Sequence, residues 1–134
     1  MSAIPSRVVL DTSAYSQLRR GHTSIIDWVA TAEIVYMPVI VLGELEAGFR
    51  VGRRYNENAV ALTEFLDEPF VETLSLTPDV SRKYGAIFAQ LKRNGTPIPV
   101  HDIWIAAIAL QYDLTLVARD AHFEKVDDLK FETW

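Results

Sequence analysis

Short apolar runs alternate with segments of helical spacing along this chain, and that alternation restricts the fold more than any other feature. Val8-Val9-Leu10 reads as a buried strand, as do Glu33 to Met37, Phe70 to Leu74 and Leu114 to Ala118. Phe131 to Trp134 adds a candidate edge strand. Between these runs the spacing predicts helices. Ser13 to Arg19 is short and closes near Gly21, and Ser24 to about Ala32 takes Thr23 or Ser24 as its N-cap. Pro38 opens a helix to about Val51, because proline is tolerated in a first turn, and Gly52 suits its far end. Ala59, Leu62, Phe65 and Leu66 share a face of Asn56 to Leu66, which Pro69 stops. Thr77-Pro78 opens a long helix to about Arg93, ended by Asn94-Gly95. Thr96 to Val100, with two prolines, is a loop. His101 to Tyr112 is a helix that is apolar nearly all round, so it belongs inside.

Repeated strand–helix alternation predicts an α/β fold of three layers, α/β/α, with a mostly parallel central sheet. The 134 residues fit one domain spanning 1–134, with no repeat or linker to divide it. At 49% apolar and 23% charged residues the chain can bury a core. It has no cysteine, which excludes thiolate metal sites and leans toward a reducing compartment. Met1 to Arg7 carries no apolar h-region, and the longest apolar run, Ile103 to Leu110, is far short of the ~20 residues of a membrane span. The expected location is the cytoplasm. A formal charge of −5 argues against a generic basic nucleic-acid coat, but not against an acidic site that holds cations.

In parallel α/β sheets ligands bind beyond the C-terminal ends of the strands. Asp11 follows the first strand and Asp120 lies just past the strand ending at Ala118. Glu44 and Asp102 lie near helix starts, so all four acids can project toward one edge of the sheet. Each also has an ordinary reading. Asp11 heads Asp11-Thr12-Ser13 and suits an N-cap equally well. Asp102 in a first turn complements the helix dipole. Asp120 suits a turn before His122-Phe123. Glu44 shares its face with Ile40, Ala47, Gly48 and Val51, and a carboxylate among small apolar neighbours calls for a partner or a metal. Glu46 instead can meet Arg50 and Arg53 by the same spacing, so its side is expected to be solvated. Together the four point to a hard divalent cation, which takes oxygen ligands. Phosphodiester cleavage uses such ions, in pairs roughly 3.5–4 Å apart where two are present. Without metal, repulsion should raise at least one carboxyl pKa.

Four pieces in order resemble the PIN-domain family, and within it the VapC-type toxin ribonucleases of toxin–antitoxin pairs. They are Val9-Leu10-Asp11-Thr12-Ser13, then Pro38 to Leu45 with Gly48, then His101 to Ala107, then Leu116 to Phe123. The resemblance spans nearly the whole chain. It implies Asp11, Glu44, Asp102 and Asp120 as the catalytic, metal-binding centre, with Mg²⁺ or Mn²⁺. It implies single-stranded or structured RNA as substrate, hydrolysed to a 5′-phosphate and a 3′-hydroxyl. It also implies homodimers and inhibition by a small antitoxin. Relatives often carry threonine two residues before the last acid, where this chain has Ala118, which lacks a hydroxyl to orient Asp120 or a water. Ser13 and Thr12 remain as polar supports.

Arg119, Arg53 and Arg54 are candidate phosphate contacts, with Arg19-Arg20, His22, Arg50 and Lys92-Arg93 as further parts of a positive rim. A solvated helix end is the plainer reading of any one cluster. Trp104 belongs in the core by its helix, while Ile25 and Trp28 are candidate exposed apolar residues for a partner. A haloacid dehalogenase-type site would need a second Asp where Ser13 stands, and a receiver domain an acidic pair and lysine that cannot be placed. The alternative that stays open is a catalytically silent PIN-like module that binds RNA or protein without cutting.

Overall fold

In a computed structural model, which describes residues 6–134, five strands form one all-parallel sheet in the order β3-β2-β1-β4-β5. Of the segment read as lacking an h-region, Met1 to Pro5 lies outside the described residues. The strands are β1 (Arg7–Leu10), β2 (Ile34–Pro38), β3 (Val71–Leu74), β4 (Thr115–Val117) and β5 (Phe131–Glu132). The helices are α1 (Thr12–Arg19), α2 (Thr23–Thr31), α3 (Val39–Val51), α4 (Tyr55–Leu66), α5 (Pro78–Asn94) and α6 (Val100–Gln111), with a 3₁₀ turn at Ala121–Lys125. Every expected element is present, with ends shifted by a residue or two, the usual uncertainty of helix and strand ends.

The central strand carries the core. Val8, Val9 and Leu10 are fully buried, as are Leu116 and Val117 beside them. Such continuous apolar strands, with no polar alternation, are what a sheet covered on both faces requires. From β1 the chain first builds outward through β2 to β3. It then crosses back over α5 and α6 to place β4 on the other flank of β1. The strand order reverses at β1, so a crevice opens beyond the ends of β1 and β4, where ligands bind in open parallel sheets. The backbone N–H of Asp11 donates to Val117 O at 3.2 Å, closing the pairing of those two strands at the crevice floor.

Local chemistry explains most boundaries. Asp11 caps α1, its Oδ1 accepting from the N–H of Ala14 at 2.7 Å. Thr77 caps α5 through Val80 N at 3.3 Å, with Pro78 in the first turn. Gly95 ends α5 with φ +66°, the left-handed conformation that only glycine adopts cheaply.

Some expectations fail. The N-cap position of α2 is His22, and neither Thr23 nor Ser24 caps it; the helix begins a residue early and no side chain accepts its first N–H groups. Pro38 is the last residue of β2 rather than the first of α3. Ile25 is fully buried, because it shares the inward face of α2 with Val29 four residues on, whereas Trp28 is half-buried. Trp104 is only half-buried: α6 is buried along Ile103, Ile105–Ala109, and Trp104 leans outward to stack on Tyr84 of α5 at 4.1 Å between ring centroids. Among the described residues no helix is long and apolar enough to cross a membrane.

Two glycines predict opposite signs. A Cβ at either Gly95 or Gly48 meets nothing within 4 Å, so backbone conformation alone decides. Gly95→Ala forces φ +66° on an L residue and should cost ~1 kcal/mol, a fall in Tm of about 3–5 °C. Gly48→Ala, inside α3, should instead stabilise by up to ~1 kcal/mol. Thermal unfolding of the two variants checks both; equal shifts would contradict the assignment.

Candidate active site

The four acids predicted from sequence meet at the crevice. Asp11, Glu44, Asp102 and Asp120 line one cleft of about 270 Å³, together with Thr12, Ser13, Pro99, His101, Ile105 and His122. Each acid reaches it for a different structural reason. Asp11 ends β1 and starts α1. Glu44 is delivered by α3, which leaves the C-terminal end of β2. Asp102 sits in the first turn of α6, whose N-cap position is Pro99. Asp120 follows β4 and caps the 3₁₀ turn, accepting from His122 N at 3.0 Å.

Burial is uneven across the group. Asp11 and Asp102 are buried, at 6% and 8% exposure, while Asp120 is exposed. Glu44 is half-buried, and its surroundings correct the sequence reading. Ala47, Gly48 and Val51 are exposed, because that end of α3 runs out over the surface, so Glu44 is not walled in by apolar neighbours. What fixes it is Thr12, whose Oγ1 donates to Glu44 Oε1 at 2.8 Å. Thr12 is thus a direct support, whereas Ser13 lines the cleft with no side-chain hydrogen bond among the described residues. Glu46, expected on the solvated side, pairs with Arg50 at 2.8 Å.

Two histidines went unread in the sequence. His101 Nε2 lies 3.3 Å from Asp102 Oδ1 and 3.7 Å from Glu44 Oε2. His122 Nδ1 lies 3.2 Å from Asp102 Oδ2 and 3.1 Å from Asp120 Oδ1. The signal was their adjacency to acids, one residue before Asp102 and two after Asp120. The turn that carries Asp120 and His122 is tied down from behind. Gln90, buried on α5, donates from Nε2 to Lys125 O at 2.9 Å and accepts from Asp127 N at 3.1 Å. Ala118 is fully buried at the foot of that turn, and it is the His122 N–H that holds the Asp120 carboxylate.

The arginine candidates separate. Arg54 lines a groove of about 420 Å³ with Arg19 and Arg20, beside Tyr15, Ser16 and Phe49. The groove lies one turn along α1 from Thr12 and Ser13. Arg53 and Arg119 are exposed and line neither groove nor cleft. Among the described residues no lysine or arginine forms an ion pair with any of the four acids.

Burial pushes the Asp11 carboxyl up to about 7; the Ala14 N–H opposes this, and the charges of Asp102, Glu44 and Asp120 add to the rise. Repulsion was the expected cause, but desolvation is the larger one. The donor set suits a hard divalent cation: convergent carboxylate groups, two of them buried and, among the described residues, without a lysine or arginine to neutralise them. Asp11, Glu44, Asp102 and Asp120 are the residues that could hold it. The raised pKa also sets a stability profile. Asp11 titrates near 3.8 when unfolded and near 7 when folded, so the folded state holds the extra proton in between. Its contribution is intact below 3.8 and is lost as pH rises through 7. In chelator, Asp11→Asn should therefore be more stable than the parent at pH 8, by on the order of 2 kcal/mol, and the gap should close toward pH 5. Melting curves at the two pH values decide it; a gap that ignores pH would show that Asp11 does not carry this proton.

Comparison with known proteins agrees with this geometry. The PIN domain family profile matches residues 8–129. Ribonuclease VapC of Rickettsia bellii is 32% identical over 133 residues, covering 94% of this chain and 95% of its own. Ribonuclease VapC5 of Mycobacterium tuberculosis is 28% identical over 127 residues, covering 95% and 93%. Among solved structures, VapBC-1 from nontypeable Haemophilus influenzae superposes with a TM-score of 0.84 at 26% identity, over 96% of this chain and 98% of that one. Sheet order, acid placement and sequence similarity converge on one assignment: the chain belongs to the PIN-domain family, alongside the VapC ribonucleases.

Proposed function

We propose that this protein is the toxin of a toxin–antitoxin pair, an endoribonuclease that hydrolyses RNA phosphodiester bonds with Mg²⁺ or Mn²⁺. The observation that carries the reading is the meeting of Asp11, Glu44, Asp102 and Asp120 in one cleft at the switch point of the sheet, unpaired with any lysine or arginine among the described residues. The relatives named ribonucleases, and the VapBC assemblies among the structural neighbours, support both the activity and an antitoxin partner. One domain over 1–134, cytoplasmic and homodimeric, fits this role.

A divalent cation at this centre would supply charge to a non-bridging phosphate oxygen and lower the pKa of a water near neutrality. The rest is the work of the chain. Asp11 and Asp102 would present their carboxylates to the cation from a partly dry cleft, where charge acts strongly. Thr12 locks the Glu44 carboxylate, and the 3₁₀ turn presents Asp120 from the opposite wall. No serine or histidine is required as a covalent nucleophile. The groove of Arg19, Arg20 and Arg54 gives the RNA backbone an approach beside the acidic cleft, since phosphate contacts position a strand without reading its sequence. Arg53 and Arg119 are exposed and lie outside both groove and cleft.

Purified protein, incubated with tRNA, rRNA and short single-stranded RNA, should cut a few sites with Mg²⁺ or Mn²⁺ and none in chelator. Residues that merely orient metal ligands are worth about 10–100-fold, so Asp102→Asn, which removes a ligand, should lower the rate by more than about 100-fold while unfolding stays cooperative. A folded protein that binds metal yet cuts no RNA would support the silent binding module instead. For the groove, Arg54→Glu should weaken RNA binding and reduce the slope of log K against log salt by about one, and Arg53→Glu should leave that slope unchanged. Equal effects of the two reversals would remove the groove from the RNA path.

A further inference from the structure

We infer that His122 is a nitrogen ligand of the divalent cation, completing with Asp102 and Asp120 a mixed nitrogen–oxygen face that biases the centre toward a first-row transition ion over Mg²⁺. This deepens the metal-dependent reading above and rests on it.

The geometry is favourable without rearrangement. One donor atom each from Asp102, Asp120 and His122 lies within 4.8 Å of the others. His122 Nδ1 is 3.2 Å from Asp102 Oδ2 and 3.1 Å from Asp120 Oδ1. Two ligands at right angles around an ion, each about 2.1 Å from it, stand about 3 Å apart. The observed spacings match that edge. They match an ordinary imidazole–carboxylate contact as well, so the experiment has to separate a ligand from a hydrogen-bonding neighbour.

His122 is also held where a ligand must be. Its own N–H bonds Asp120 Oδ1 at 3.0 Å, so backbone and ring of the same residue grip the same acid. The next residue, Phe123, is 1% exposed and anchors the turn in the core. Gln90 ties the end of that turn to α5 through Lys125 O and Asp127 N. The other imidazole is placed less well. His101 is 48% exposed in its side chain, and its contacts to Asp102 and Glu44, at 3.3 and 3.7 Å, are longer.

A nitrogen donor changes which ion fits. Carboxylate and water suit Mg²⁺ and Mn²⁺ alike, whereas imidazole adds affinity along the transition series. Mg²⁺ keeps its waters and prefers oxygen. Mn²⁺ serves as the probe, because its binding and its ligands can both be read by electron paramagnetic resonance without any catalytic assay.

The whole chain is titrated with Mn²⁺, in competition with Mg²⁺, and its pulsed spectrum is searched for ¹⁴N coupling. The parent should show ¹⁴N coupling and bind Mn²⁺ at least about tenfold more tightly than Mg²⁺. His122→Ala should lose the coupling and about tenfold in Mn²⁺ affinity while holding Mg²⁺ within about threefold. His101→Ala should keep the coupling. Circular dichroism of each variant establishes that it is folded, and His122→Asn provides a second substitution of similar polarity. Mn²⁺ bound by the parent, lost in Asp102→Asn and without ¹⁴N coupling would overturn the ligand role of His122 and leave the carboxylate centre standing. Coupling lost only in His101→Ala would do the same. Failure of the parent to bind either ion would overturn the metal reading as a whole, and this inference with it.

Discussion

A carboxylate buried at the end of the central strand governs this molecule. Asp11 closes β1 against β4 by its backbone and caps α1 by its side chain, while its charge faces three other acids. β1 is the strand from which the chain builds in both directions. Segments that leave its two neighbouring strands therefore emerge near its end: α3 leaves β2 with Glu44, and the turn after β4 brings Asp120. Asp102 arrives from the far side, on the crossover that the reversal in strand order makes necessary. The site is thus a consequence of topology, assembled from segments up to 109 positions apart in sequence, from Asp11 to Asp120.

That arrangement sets local electrostatics against the fold. At Asp11 burial makes ionisation harder, and the charges of the three other acids add to the difficulty. The chain offsets this with short, directed bonds rather than with basic side chains. Ala14 N–H holds Asp11, Thr12 holds Glu44 and His122 N–H holds Asp120. Neutral donors fix the geometry and leave the negative charge in place, which a lysine or arginine would cancel. A fully paired cluster would be more stable and would have no attraction left for a cation.

Much of this was legible in the sequence. The strand β1 is an apolar run with an acid at its end, and continuous apolar runs read correctly because a sheet covered on both faces has no polar side. Thr77-Pro78 and Asn94-Gly95 marked the ends of α5 because cap chemistry is local. The failures lie where tertiary packing decides. Ile25 could be placed on a face of α2 but not assigned to the core without knowing what covered that face. Glu44 was read as enclosed because Ala47, Gly48 and Val51 share its helical face, yet the C-terminal end of α3 is exposed and Thr12, distant in sequence, is the partner. His101 and His122 were passed over for the same reason. Each is ordinary beside one acid, and only the fold brings each to a second, Glu44 for one and Asp102 for the other.

The distribution of charge orders the events at the cleft. The chain is acidic as a whole, at −5, and most acidic where a polyanion would have to react. The arginines of the groove, Arg19, Arg20 and Arg54, begin a turn or more away and cannot neutralise Asp11 or Asp102. On the proposed reading they would draw a strand to the rim, while the acids would leave the approach to the cleft repulsive. A cation held by the acids would reverse that repulsion. On the proposed reading, cation binding would come before productive binding of RNA, because the same acids that a metal requires would repel a phosphate backbone from the metal-free cleft. In this fold the acidic cluster would then work as a requirement on order, imposed by Coulomb's law, as much as a source of ligands.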